Sequence, residues 1–312
     1  MITWTIGAGG MLGRALRRQT PDTFVGSAIS WDDTSSASAT LTSDLDRFRR
    51  DCAGRPWGII WAAGSATVSS SEADTAGELH TLDALLSALR ADPPSGPGAF
   101  FLTSSAGGVF AGSLEPPFNA TTVPRALSPY GELKLRQEAT TRHRLDGVCP
   151  VVIGRFSNLY GPGQNLDKLQ GLISRLALAA VTRQPLNVFV SLDTIRDYIY
   201  VDDAAAIALW WLEDAIARQP AEPQLSIIAT GEGTTVGQLI RTTSLVTKRR
   251  VPVALGNHSS ARNQVLDLRL EPTDQHRLAA LARTPLPSGV RMVYLDVLQR
   301  VQQAAATSPS FR

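Results

Sequence analysis

Cysteine is nearly missing from this chain of 312 residues, where Cys52 and Cys149 are the only two. Neither their number nor their spacing suits a disulfide framework or a zinc ribbon, so they read as free thiols of a reducing, cytoplasmic compartment. An excess of charge of one sign is lacking too. Lys and Arg number 30 against 28 Asp and Glu, which leaves no basic field to draw in nucleic acid or an anionic membrane. Long apolar runs are absent: residues 176–181 and 204–212 are the longest, far short of the ~20 a spanning helix needs. The first residues carry no charged n-region, h-region or small-residue cleavage site. Nucleic acid and membrane are therefore not expected as partners.

What is present is alternation. Apolar runs of strand length at 2–6, 23–29, 57–62, 99–104 and 150–156 are separated by helical spacing at 11–19, 45–51, 75–89 and 130–144. That order predicts an α/β fold of the Rossmann type, a doubly wound parallel sheet. After Tyr160 the pattern loosens, with a helix near 169–182, a strand near 186–190, a helix near 201–217 and a tail at 307–312. The expected organisation is a dinucleotide-binding domain over 1–160, to which 186–217 returns in part, and a smaller mixed α/β substrate lobe within 161–312.

The first strand runs into Gly7-Ala-Gly-Gly10-Met11-Leu12-Gly13 and then into a helix. At such a turn Gly7 suits a tight bend, Gly10 lets a pyrophosphate approach backbone N–H groups, and Gly13 allows close helix–strand packing. An NAD-type site adds an acid about twenty residues on. Asp32 and Asp33 lie somewhat beyond that offset. Arg14, Arg17 and Arg18 favour a 2′-phosphate only if one faces the cofactor, and Arg17 and Arg18 read as solvated. NAD is the expected cofactor, with NADP left open.

Tyr130 and Lys134 in SPYGELK stand at i and i+4 of a helix, on one face. A tyrosine, ordinarily near pKa ~10, serves as a base near neutrality only beside a fixed cation. Such pairs are common on exposed helices, but this one follows a strand ending in Ser104-Ser105, whose hydroxyls suit a hydrogen bond to a substrate oxygen. Farther on come Arg155-Phe-Ser-Asn158-Leu-Tyr160-Gly-Pro and Arg196-Asp197-Tyr198-Ile-Tyr-Val-Asp202-Asp203.

Taken in this order, from residue 2 to about 270, these motifs closely resemble the extended short-chain dehydrogenase/reductases, the epimerase/dehydratase group that includes UDP-galactose 4-epimerase. The resemblance implies that Asp44-Leu45 meets the adenine and that Ala62-Ala63-Gly64 lies along the cofactor. It implies that Tyr130, Lys134 and Ser105 or Ser104 carry the proton chemistry, counting back from Val109 putting Ala106 where some relatives have the hydroxyl. Phe110 stands for a frequent tyrosine, and His80 for a frequent asparagine. Asn158, Arg196 and Arg262 are expected on the diphosphate of a nucleotide sugar, with Asn187 and Phe189 flanking its base. Asp197, Asp202 and Asp203 are read as organising the turn and helix start. No metal is implied, and a homodimer is compatible. Ala106-Gly107 replaces the acidic pair of the dehydratases, and no cysteine stands there as in the 3,5-epimerase/reductases. A nucleotide-sugar epimerase is the expected activity; alternatives are a keto-sugar reductase, a pyranose/furanose mutase and a redox-inactive dinucleotide sensor.

Overall fold

Strands buried on both faces must be apolar throughout, and a parallel pair needs a crossover long enough to hold a helix. The computed structural model, which describes residues 1–64, 72–166, 171–256 and 265–307, follows that rule. The chain runs β1 (Ile2–Ile6), α1 (Met11–Gln19), β2 (Thr23–Phe24), α2 (Thr34–Cys52), β3 (Trp57–Trp61), α3 (Glu72–Ala91), β4 (Gly98–Ser105), the single turn α4 (Ala106–Val109), α5 (Pro129–Leu145) and β5 (Val151–Phe156). It continues with β6 (Asn158–Tyr160), α6 (Leu172–Thr182), β7 (Leu186–Val188), β8 (Ile195–Tyr200), α7 (Val201–Arg218) and β9 (Gln224–Ile228). The last elements are β10 (Gly233–Thr235), α8 (Val236–Thr247), β11 (Val253–Leu255), β12 (Asp267–Leu268), α9 (Gln275–Leu281) and α10 (Leu286–Thr307). No described helix is long and apolar enough to cross a membrane.

The main sheet is parallel, in the order β2-β1-β3-β4-β5-β9. Leu41, Leu45 and Phe48 of α2 and Leu82, Leu85 and Leu89 of α3 close one face over Trp4, Ile59 and Phe100. Leu12 and Leu16 of α1 and Ile207, Ala208 and Leu212 of α7 close the other over Ile60, Phe101 and Val152. Each such side chain adds roughly 1.5–3 kcal/mol of burial. From β1 the chain goes outward to β2 and then returns to β3 on the opposite side. The strand order thus reverses between β1 and β3, and the crevice of a doubly wound sheet opens beyond such a reversal.

The second lobe is built on β8, flanked by β10, β12 and β6, with a separate β7–β11 pair. Ile173, Leu176, Leu239, Val293 and Val297 of α6, α8 and α10 form its core. Two elements depart from the sequence reading. Strand β2 is two residues long, not seven, because the chain bends at Gly26-Ser27 and the Ser27 amide donates to Asp44 at 2.6 Å. Helix α2 begins at Thr34, because Asp33 caps Ser35 N and Ser36 N, and the hydroxyls of Ser38 and Thr42 turn back to carbonyls four residues earlier.

Candidate active site

The glycine loop closes onto the end of β3. Gly7 has φ of 89°, and a Cβ built there would stand 2.6 Å from the Ala62 carbonyl; one at Gly13 would stand 2.2 Å from Gly7 O. Side chains are therefore excluded and backbone lies against backbone. Gly10 is the N-cap of α1, so no side-chain cap covers the first amides of that helix, which suits them to an anion. These residues fit the pyrophosphate of a dinucleotide.

From this loop a cavity of about 520 Å³ runs between the sheet's carboxyl edge and the second lobe. Met11, Leu12, Ala62, Ala63 and Gly64 line its near end, Ser104, Ser105, Tyr130 and Lys134 its middle, and Asn158, Arg196 and Tyr198 its far side. Tyr130 reaches the middle because α5 crosses α4 at two glycines. A Cβ at Gly108 would meet Tyr130 Cε1 at 3.0 Å, and one at Gly131 would meet Gly108 O at 2.3 Å. Ser128 caps α5 by accepting from Gly131 N. One turn beyond Tyr130, Lys134 is buried; its Nζ lies 5.6 Å from the Tyr130 ring centre, donates to Gln137 Oε1 at 2.9 Å and pairs with Glu78 at 3.4 Å.

The two serines are not equivalent. Ser104 donates its proton to Glu138 Oε1 at 2.6 Å, and Glu138 is held by Arg155 through Nε and Nη2 at 2.9 and 2.7 Å. Ser105 instead accepts from Gly108 N at 3.2 Å, so its own proton remains available to a ligand. Glu138 and Glu78 both escaped the sequence reading. Glu138 carried a sign, since it extends the face of Tyr130 and Lys134 by one more turn. Glu78 carried none: His80, marked as a departure, is exposed on α3, and it is Glu78 that reaches Lys134.

On the far side Arg196 lines the cavity with Nη1 bonded to Ile195 O at 2.7 Å; burial lowers its pKa below the usual guanidinium value. Asn158 Nδ2 donates to Asp197 O at 2.9 Å. Asp197 is fully buried and accepts from Thr230 N, Thr230 Oγ1 and Gly231 N at 3.0, 2.8 and 2.7 Å. Burial pushes its pKa up, against these bonds. Asp202 pairs with Arg18, and Asp203 accepts from Thr284 N and Oγ1.

Three expected contacts are not brought together. Leu45 is sealed in the core, one position round the helix from Asp44, which alone lines a second pocket beside the glycine loop. Asn187 is exposed between buried Leu186 and Val188, so strand alternation turns it away from the cavity. Phe189 is half-buried beside Gly256 and does not line the cavity. Arg262 lies outside the described residues.

The pattern of the sequence itself decides the family. Residues 5–223 match the model of the NAD dependent epimerase/dehydratase family. The chain belongs to that family. Among curated members, the dTDP-L-rhamnose 4-epimerase of Burkholderia thailandensis is 30% identical over 122 residues, 38% of this chain and 32% of that protein. The dTDP-4-dehydro-6-deoxyglucose reductase of Escherichia coli is 26% identical over 171 residues, 53% of this chain and 52% of that protein. The chain thus spans about a third to a half of the length of these family members. In fold it superposes on the UDP-glucose 4-epimerase of Thermotoga maritima, solved with UDP-glucose, at a TM-score of 0.77 and 20% identity over 97% of this chain and 100% of the other.

Proposed function

We propose that the chain is a nucleotide-sugar-modifying enzyme, an NDP-sugar epimerase that works through transient oxidation and re-reduction. The reading rests on one observation: Tyr130, Lys134 and Ser105 line the same cavity as Arg196 and Asn158, and that cavity runs from the glycine loop. A bound nicotinamide dinucleotide would accept a hydride from the sugar carbon and return it. Gly7, Gly10, Gly13 and the first amides of α1 would hold its pyrophosphate, and Lys134 its nicotinamide ribose.

The chain's own side chains supply the proton chemistry. Tyr130 takes the proton of the substrate hydroxyl, with Lys134 beside it as the fixed cation. Ser105, already accepting from Gly108 N, donates to the same substrate oxygen and holds it against the phenol. Arg196 offers paired donors to the sugar diphosphate, and Asn158 fixes the β8 backbone next to it. Two thiols without a disulfide suit an enzyme of the cytoplasm.

A keto-sugar reductase is the second reading, favoured by the longer of the two curated matches. Incubation with UDP-, GDP- and dTDP-sugars, followed by NMR of the products, separates the two. An epimerase yields a stereoisomer without net cofactor consumption. A reductase oxidises one NAD(P)H for each keto-sugar consumed. Neither product from any sugar nucleotide would remove the proposal.

A further inference from the structure

The adenosine end of the cofactor crevice has no free acid and one free cation. A pocket of about 200 Å³ beside the glycine loop is lined by Gly9, Arg17, Ser27, Trp31 and Asp44, among others. Ser27 stands about twenty residues beyond Gly7, where an NAD-type site carries the Asp or Glu that bonds the ribose hydroxyls. The one acid of the pocket is Asp44, and it is turned inward. At 1% exposure it accepts from Ser27 N at 2.6 Å, Ser27 Oγ at 2.8 Å and Arg47 Nη1 at 2.7 Å. Nearby, Asp33 is engaged in capping α2.

The arginines of α1 divide by task. Arg14 donates to Gly9 O and Gly163 O, and Arg18 pairs with Asp202. Arg17, exposed at the pocket wall, has no hydrogen-bond or ion-pair partner among the described residues. Asp44 and Arg47 cancel, so Arg17 leaves the pocket one net positive charge. Arg47 is itself fixed over the Phe24 ring at 5.2 Å and bonds Ser27 Oγ at 3.2 Å.

We infer that this pocket receives the 2′-phosphate of NADP(H), with Arg17 as the principal contact and Ser27 as the small residue that admits it. The inference rests on the dinucleotide reading of the glycine loop and specifies which dinucleotide is preferred. A phosphomonoester carries nearly two negative charges at neutral pH, and a guanidinium without a competing carboxylate is the donor set that matches it. The ribose diol of NAD would find no free acceptor in this pocket.

The test is equilibrium binding, by calorimetry, of NADPH and NADH to the intact protein, with 2′,5′-ADP and 5′-AMP as probes of the adenosine end alone. NADPH should bind about tenfold or more tighter than NADH, and 2′,5′-ADP tighter than 5′-AMP. Arg17→Ala should weaken NADPH by about tenfold to a hundredfold, leave NADH within about twofold, and recover in part as Arg17→Lys. Ser27→Asp should turn the preference toward NADH. Equal or tighter NADH binding by the wild type, or an equal loss of both ligands in Arg17→Ala, overturns the 2′-phosphate site while leaving the dinucleotide reading intact. Failure of every nucleotide to bind overturns both.

Discussion

At the scale of single residues, the division of labour between the serines is the sharpest consequence of the geometry. Ser105→Ala removes a hydroxyl whose proton is free, and Ser104→Ala removes one already given to Glu138. The first should lower kcat by about tenfold to a hundredfold, as loss of a donor to the reacting oxygen does, with little change in melting temperature. The second should lower melting temperature first, by orphaning part of the Glu138–Arg155 network. Equal kcat losses in both variants, with unaltered stability, would sink the distinction. Tyr130→Phe should reduce kcat by about a hundredfold to ten-thousandfold while leaving dinucleotide affinity in place. Near-normal turnover would move the mutase and sensor readings ahead of redox catalysis. The roles expected of Tyr130, Lys134 and Ser105 came from spacing within short segments. Glu78 was not legible, because its contact with Lys134 joins α3 to α5, and nothing local in an acid on a helix tells which side chain it will meet.

At the scale of elements, the legible parts were those whose periodicity is set by burial on both sides. β1, β3, β4 and β5 are apolar throughout because helices cover both faces of the sheet. The Ser- and Thr-rich start of α2 read as a loop because these residues carry low intrinsic helix preference, which a cap and four-residue side-chain bonds override. The α3–α5 pair also carries a pH signature. Arg144 grips Asp83 through Nε and Nη2 at 2.7 and 3.0 Å, and this bonding holds the Asp83 carboxyl below its ordinary value of 3.8. The folded chain therefore keeps the carboxylate ionised where the unfolded chain has protonated it. The contribution is complete above the unfolded value and fades as pH falls through the folded one. Asp83→Asn should lower the melting temperature at pH 7, by a small amount since both groups are partly solvated, and the gap to wild type should close on acidification below 3.8. A gap that stays constant to low pH would assign the loss to packing instead.

At the scale of the whole molecule, the site exists only where two sheets meet, and the Asp197 carboxylate ties them. It joins β8 of the second lobe to the segment that leaves β9 of the main sheet, and the same residue's carbonyl receives Asn158. The sequence reading assigned everything after residue 160 mainly to the substrate lobe. Yet β9 pairs with β5 and α7 packs against the main sheet, a return that the short β9, with half-buried ends, does not announce in its pattern. Asp197 itself was read as a turn organiser, which describes its bonds but not that they span the lobes. Asp197→Asn keeps the shape and one acceptor while leaving a donor among Thr230 N, Thr230 Oγ1 and Gly231 N poorly matched, a cost of about 1–3 kcal/mol. Because the loosened strand carries Arg196 and steadies Asn158, nucleotide-sugar affinity should fall by about tenfold. The glycine loop and α1 lie on the other side of the crevice, so dinucleotide affinity should stay within about twofold. Melting curves and two calorimetric titrations on the same preparation decide it. A lower melting temperature with unchanged sugar-nucleotide affinity would mean that this joint supports the fold without shaping the site, and equal losses for both ligands would mean that the lobes do not bind their partners independently.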